Sequence, residues 1–473
     1  MIFPLILIPF ATLLTICSVS WYKKANPEDA SLTTLGSNSS IMLLTLVSLF
    51  TTLAYSCVLW KMYPQYTYEG LALYPANSWF ELYHSLSLPF VILSTAVLII
   101  ALLTAWYSEV NKYLLTGLLL ISEICLVGSF ACTNLFVFLL FFEASALPIF
   151  ILIVYCGSPR RERLKASYYF LFFTLYGSIS LLLLILNTYA LAQISFTAEE
   201  IAHNYTGWLL LFTAFAVKIP LFPFHIWLPY AHVEASTSAS IILAALMLKL
   251  GGYGLIRFML PLFSPEVHMY FRPLALFISA VGVIYGGICA LRQLDLKRQI
   301  AFSSISHMSF ASVGIFTFTD VGIKGATYLM LSHGLTSSAL FYLVGVLSDR
   351  YHTRSAMAFG GLMGAMPIFC FFMIVASLAN VGFPGTSGFI PELLVLSAVV
   401  SSVPAVLFPV LLGMLLTTAS TLLALLRILF GHVKIYYTSS TLIDITRIEF
   451  FVLTMLSAWI IIMGFYDILG SIH

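Results

Sequence analysis

Apolar runs of about twenty residues recur along the whole chain, separated by short polar stretches. A helix needs about 20 apolar residues to cross the hydrocarbon of a bilayer. The runs predict fourteen crossings: residues 2–20, 39–60, 86–106, 113–131, 133–156, 166–190, 206–229, 237–260, 273–291, 299–317, 322–347, 364–402, 403–430 and 448–470. Two of them carry interruptions. The seventh contains Pro220, Pro223 and Pro229, and the long twelfth contains Gly-Phe-Pro-Gly-Thr-Ser-Gly at 382–388. Proline removes a backbone donor and breaks the helical ladder, so both spans should be pairs of half-helices. The pattern predicts an all-α polytopic membrane protein with broken helices 7 and 12.

The interrupted spans are five apart. Five is odd, so two five-helix units would have opposite orientations, as in the inverted repeats of transporters. The expected organisation is 1–112 for spans 1–3, 113–260 for a first five-helix repeat (spans 4–8), 261–430 for a second, inverted repeat (spans 9–13), and 431–473 for a loop and span 14. No residue-level repeat is visible, so chance placement of two prolines is the competing reading.

Composition agrees with the periodicity. Of 473 residues, 61% are hydrophobic and 8% charged, and the mean hydropathy is +1.02. With fourteen spans, fifteen of the 21 Lys and Arg residues fall in loops on one side, here side B. Lys61, Arg257, Arg272 and Lys324 fall on the other, side A, and Lys218 and Lys249 lie inside spans. The positive-inside rule places side B at the cytoplasm or matrix. A net charge of +2 gives no sign of nucleic-acid binding. The seven cysteines are scattered, with no CxxC and no His/Cys cluster of metal spacing, so no zinc or iron–sulfur site is expected. No GxGxxG or phosphate loop is present. The apolar start, lacking a charged n-region and cleavage site, is expected to be the first span.

Chemistry is concentrated in ionisable groups within the spans. A charged side chain at mid-bilayer costs about 2.5–3.5 kcal/mol on insertion scales, and such residues mark ion pathways and proton relays. Glu143 lies in Phe-Phe-Glu-Ala-Ser-Ala-Leu-Pro of span 5, Lys218 before the first break, Lys249 in span 8 and Glu392 after the second break. His307 and His333 lie in spans 10 and 11, and Glu123 in span 4. Burial disfavours the charged form of a lysine and a nearby carboxylate favours it. Moving or protonating Glu143 would therefore switch Lys218 between holding and releasing a proton. Lys249 would take it onward, the histidines would pass it between ring nitrogens, and Glu392 would release it toward side A. The plainer readings are a lysine that snorkels from a kinked helix, a static buried ion pair, and hydrogen-bonded core histidines. The glycines after Lys249 point to close helix approach. His225 and His232 are expected in structural or entry roles. Arg160, Arg161, Arg163 and Lys165, like Arg292, Asp295, Lys297 and Arg298, are expected in solvated or lipid-facing loops.

Four stretches in combination resemble the chain 4 branch of the antiporter-like membrane subunits of the proton-pumping NADH:ubiquinone oxidoreductase, respiratory complex I. They are 141–148 with Gly-Ser-Pro-Arg-Arg following, Lys218 through His-Val-Glu-Ala (232–235) to Lys-Leu-Gly-Gly-Tyr-Gly (249–254), Asp-Leu-Lys-Arg-Gln-Ile-Ala-Phe-Ser-Ser-Ile-Ser-His-Met (295–308), and Ser-His-Gly-Leu-Thr-Ser-Ser-Ala-Leu-Phe (332–341). Together they cover most of residues 105–395.

The resemblance implies a fourteen-helix membrane-arm subunit with one proton channel driven by quinone reduction elsewhere. It places the family's essential glutamate at Glu143, its lysines at Lys218 and Lys249, its terminal acid at Glu392 and its relay histidines at His307 and His333. Glu123 falls where relatives carry either an acid or an amide. This chain would bind no cofactor; NADH, FMN, iron–sulfur clusters and ubiquinone would belong to other subunits. Partners would be other membrane-arm subunits and the bilayer, including a lipid such as cardiolipin. The expected location is the mitochondrial inner membrane, with a bacterial plasma membrane as the alternative. A subunit of the related multi-subunit sodium/proton antiporter is the alternative function, and a scaffold with an inactive channel is a third. Three positions depart from the family pattern: Ser236 replaces a proline, Pro391 replaces the glycine before the terminal acid, and Asp349-Arg350 replaces a Glu-Arg pair.

Overall fold

The computed structural model describes residues 3–25, 38–62, 86–106, 111–193, 202–432 and 444–465. The side chains of Lys23, Lys24 and Lys434, counted above on side B, lie outside what is described, as does the end of the last expected span.

The chain forms α1 (Phe3–Ala25), α2 (Asn38–Met62), α3 (Ser87–Thr104), α4 (Lys112–Ala131), α5 (Leu135–Cys156), α6 (Glu162–Gln193), α7 (Tyr205–Lys218) and α8 (Trp227–Glu234). It continues with α9 (Thr237–Leu262), α10 (Pro265–Arg292), α11 (Leu296–Phe316), α12 (Asp320–Tyr351), α13 (Pro367–Val381), α14 (Phe389–Ser402), α15 (Leu407–Leu429) and α16 (Arg447–Phe465). Eleven are long and apolar enough to cross a membrane, and α7, α13 and α14 are shorter apolar helices. α11 is long enough but more polar, with serines at 303, 304, 306, 309 and 312. No strand occurs among the described residues.

Local chemistry sets the helix starts. Asn111, Asn134, Asn204, Ser236, Asp295 and Thr319 precede α4, α5, α7, α9, α11 and α12, and each accepts a backbone N–H from the first turn. Such a cap contributes about 1 kcal/mol. Ser236 thus fills its departure from the family pattern as the α9 cap. In α5, Pro148 leaves the Ala144 carbonyl without its helical donor, and the Ser145 hydroxyl donates to the Phe142 carbonyl at 2.8 Å.

Both expected breaks are present. α7 ends at Lys218 and the chain restarts as α8 at Trp227. The Trp227 indole N–H donates to the Val217 carbonyl at 3.0 Å, supplying a partner at the end of α7. α13 ends at Val381, Gly382 turns the chain with φ +73°, and α14 starts at Phe389.

α12 and α9 form the interior, each with a stretch of 18 residues buried throughout. Their neighbours are layered outward: α10 packs on α11 and α15, α11 and α14 on α12, α6 on α7, and α1 on α4. Glycine permits the closest approach. A Cβ on Gly251 would lie 3.0 Å from the Phe215 carbonyl of α7, and one on Gly252 would lie 2.2 Å from the Met330 sulfur of α12. The close approach expected from the glycines after Lys249 is therefore present on two sides.

Loops expected on side B meet around one cavity of about 780 Å³, lined by Ser158, Arg160, Lys297, Asp349, Arg354 and Glu449 among others. Arg272, expected on side A, donates instead to the carbonyls of Thr317 and Ser402 at the far ends of α11 and α14.

Candidate functional site

The first ionisable group inside the bundle is at the α7 break. Lys218 occupies the last turn of α7, where a cation complements the helix dipole. It is 1% exposed, and its ammonium lies 4.5 Å from the centroid of the Phe142 ring. A desolvated cation over an aromatic face gains about 2 kcal/mol. Among the described residues no atom hydrogen-bonds to Nζ. Glu143, next to Phe142, is exposed on this chain's outer face and accepts from the Ser178 hydroxyl of α6 at 3.4 Å. Glu143 and Lys218 are electrostatic neighbours, but among the described residues no ion pair joins them.

The second group is contiguous. Lys249 is fully buried in α9 between two π-helical turns, Leu243–Met247 and Leu255–Met259. Such wide turns recur at functional positions. The Lys249 ammonium donates to the Ala244 carbonyl at 2.6 Å and lies 2.9 Å from His333 Nδ1 on α12. The His333 and His307 rings are 5.6 Å apart, and His307 Nδ1 of α11 lies 3.9 Å from Glu392 Oε1 on α14. Four helices thus contribute one line: lysine, histidine, histidine, carboxylate. His307 Nε2 and His333 Nε2 are buried without a hydrogen-bond partner among the described residues.

Glu392 stands in the first turn of α14, where helix N–H groups favour an anion. Pro391, the second departure, removes no ladder bond there, because the first four N–H groups of a helix have no intrahelical acceptor. The Glu392 N–H then bonds to the Gly388 carbonyl at 3.3 Å. Gly382 makes the room. A Cβ on it would lie 2.3 Å from Glu392 Oε2. Sequence alone marked Gly382 only as a helix stop, not as a wall of the acid's site.

The remaining candidates lie apart from this line. Glu123 is fully buried on α4 and accepts from the Thr52 hydroxyl of α2 at 2.7 Å. No described hydrogen bond or ion pair links it to the lysines or histidines. His225 packs against Phe222 and Tyr285. His232 stacks on Phe341 with ring centroids 4.5 Å apart.

One expectation needs correction. Lys297, read as a solvated loop charge, is 4% exposed and donates to the Ala235 carbonyl at 3.2 Å. It belongs to a charged cluster where α8, α11 and α12 meet. Arg354 lies 4.0 Å from Glu234 and 3.8 Å from Asp295, and donates to the Val233 carbonyl. Glu234 accepts from Ser158, and Arg350 pairs with Glu449 of α16. Spacing in a loop carries no information about which helices close over it, so only the fold reveals this burial.

Interrupted apolar helices around a line of buried ionisable side chains define a polytopic membrane protein with an interior polar site. The particular family follows from comparison. The profile described as NADH:quinone oxidoreductase/Mrp antiporter, TM, matches residues 132–418, and the chain belongs to that family. It is 42% identical over 413 residues to NADH-ubiquinone oxidoreductase chain 4 of Chondrus crispus, covering 83% of this chain and 82% of the relative. It is 39% identical over 360 residues to NADH-quinone oxidoreductase subunit M of Rickettsia conorii, covering 74% and 69%. A chain of respiratory complex I from Thermus thermophilus with bound NADH superposes with a TM-score of 0.82 at 26% identity, covering 100% of this chain and 98% of that one. The resemblance drawn from the four sequence stretches is borne out.

Proposed function

We propose that this chain is a proton-translocating membrane-arm subunit of an NADH:quinone oxidoreductase. The observation that carries this reading is the line Lys249, His333, His307, Glu392, whose members come from four helices and succeed one another at 2.9 Å between atoms, 5.6 Å between ring centroids and 3.9 Å between atoms. Ammonium, imidazole and carboxyl are groups that take up and release protons, and an imidazole passes one by accepting at one nitrogen while donating at the other. A proton held by Lys249 moves to His333 Nδ1, His333 and His307 carry it on, and Glu392 releases it toward side A. Lys218 supplies Lys249. Glu143, on the outer face of α5, shifts the balance of Lys218 between its charged and neutral forms. Glu123 is a separate buried acid outside this path.

In this reading the oxidation of NADH takes place elsewhere in the assembly. FMN, iron–sulfur clusters and ubiquinone are held by other subunits, and this chain contributes the translocation half of the enzyme. The exposed Glu143 face is where an adjoining membrane-arm subunit would communicate with Lys218. The organisation is fourteen crossings, with α7/α8 and α13/α14 as the broken members of two inverted five-helix repeats over 113–260 and 261–430. The gathering of side-B loops around one cavity and the position of Arg272 at the opposite ends support that arrangement. Side B faces the matrix of a mitochondrion, in keeping with the chain 4 relative from Chondrus crispus; the Rickettsia relative makes a bacterial plasma membrane the alternative.

The test is Lys218→Ala in the intact assembly. Assembly should be retained on a native gel, while NADH-driven proton pumping falls. Normal pumping by the variant would reject the relay. The family description also covers Mrp antiporters, so sodium is the discriminating ion. Pumping that is independent of sodium supports the oxidoreductase reading, whereas sodium flux from a band without NADH activity supports the antiporter.

A further inference from the structure

A narrow groove of about 240 Å³ opens on the outside of the bundle where α2, α3, α12 and α16 meet. Ile92 of α3 and Leu331 and Leu335 of α12 form its apolar wall, and Trp60 and Lys61 of α2 and Trp459 of α16 form its rim. Lys61 is exposed in the last turn of α2, and among the described residues no carboxylate pairs with it. Tryptophans sit at the boundary between headgroups and hydrocarbon. A lysine beside them lays its methylenes along apolar surface and keeps its ammonium at headgroup level. Leu331 and Leu335 lie eleven and fifteen residues into α12 from Asp320. At 1.5 Å per residue they are about 16–22 Å below that end. α12, with 32 residues, is longer than the hydrocarbon is thick, whereas Lys61 lies in the last turn of α2 and Ile92 five residues into α3, so the groove starts at headgroup level on side A and runs about 8 Å inward along α3.

We propose that this groove holds one acyl chain of an anionic phospholipid, with its phosphate on the Lys61 ammonium. The slot is too small for a helix from a neighbouring subunit, which is about 10 Å across, and its apolar wall beneath a charged rim suits the upper part of a chain descending from the interface. The exposed cation at its mouth, with no carboxylate partner among the described residues, selects a negative headgroup over a zwitterionic one. The tail ends against Leu331 and Leu335, which flank His333 on α12. The assignment rests on the groove itself and is independent of the relay.

The test uses the intact assembly in lipid nanodiscs with phospholipids carrying a diazirine in the acyl chain. One probe has a phosphatidylglycerol headgroup, the other phosphatidylcholine, and labelled peptides are mapped by mass spectrometry. The expected result is labelling of the Leu331–Leu335 turn and of Ile92. The anionic probe should exceed the zwitterionic one by about fivefold, the ratio for one lysine at a membrane surface. Lys61→Glu should remove that preference and Lys61→Arg should keep it. Equal labelling by the two probes in the unaltered assembly would overturn the headgroup assignment. Labelling of the outward-facing Phe408 and Leu415 without labelling in the groove would overturn the site.

Discussion

Lys249 and His333 meet at 2.9 Å across α9 and α12, the two helices whose central turns are fully buried. The ammonium also donates to the Ala244 carbonyl, so the side chain is held back toward the preceding wide turn instead of extending to an interface. That geometry disfavours snorkelling. Lys249→Met keeps length and packing and removes the proton-carrying group. It should reduce coupled proton pumping on the order of 10²-fold, the scale of a lost positioned proton-transfer group, with the assembly intact on a native gel. His333→Phe should do the same, and the double variant should be no worse than either single one, because both interrupt one path.

Gly382 and Glu392 give a sharper comparison. Gly382 and Gly385 both have positive φ, +73° and +86°, and an alanine at either carries backbone strain of about 1–2 kcal/mol. Only a Cβ at 382 meets the carboxylate, at 2.3 Å; one at 385 comes no closer than 3.5 Å to Phe465. Gly382→Ala should therefore lower pumping well beyond Gly385→Ala, although thermal stability should fall by a similar amount in both. Equal pumping in the two variants would show that Gly382 does no more than turn the chain. Parallel melting and pumping assays separate the outcomes.

Both helix breaks were legible because their causes are local. Pro220 and Pro223 end one ladder, Gly382 and Gly388 bracket the other, and the chain restarts at Trp227 and Phe389, inside the expected spans. The order of the line of ionisable groups was not legible. Lys249, His333, His307 and Glu392 come from four helices, and spacing along a chain does not say which helices touch. Nor did any local signal mark the π-helical turns around Lys249, which depend on packing against α7 and α12. Glu143 was legible as a charge in an apolar run, but not as one exposed on this chain's surface. Its position on the outer face, out of ion-pair contact with Lys218, is a property of the helix's rotation in the bundle.

In the proposed relay Glu143 acts on Lys218 through its field, and among the described residues it makes one long hydrogen bond, to Ser178. Field depends on charge more than on reach. Glu143→Gln should reduce pumping more strongly than Glu143→Asp, each measured by quenching of a pH-sensitive dye in vesicles energised with NADH. Equal losses would mean that side-chain length, and so packing, is what matters there.

Arg354 tests whether the side-B cluster is a matter of stability or of transport. Its guanidinium faces Glu234 from α8 and Asp295 at the start of α11, and donates to the Val233 carbonyl. Glu234 is 3% exposed, so removing Arg354 leaves a buried carboxylate with the Ser158 hydroxyl as its main partner. Breaking one partner of a buried pair costs about 3–5 kcal/mol. The cost falls on the junction of three elements and not on the Lys249 line. Arg354→Ala should therefore lower the yield and melting temperature of the assembly, while pumping per assembled complex stays near that of the unaltered protein. Arg354→Lys should recover part of the yield, since it keeps the charge without the planar fork. Native-gel yield and pumping normalised to NADH oxidation separate the two effects. A variant that assembles fully but pumps poorly would place this cluster on the proton path, with the side-B cavity as its entrance.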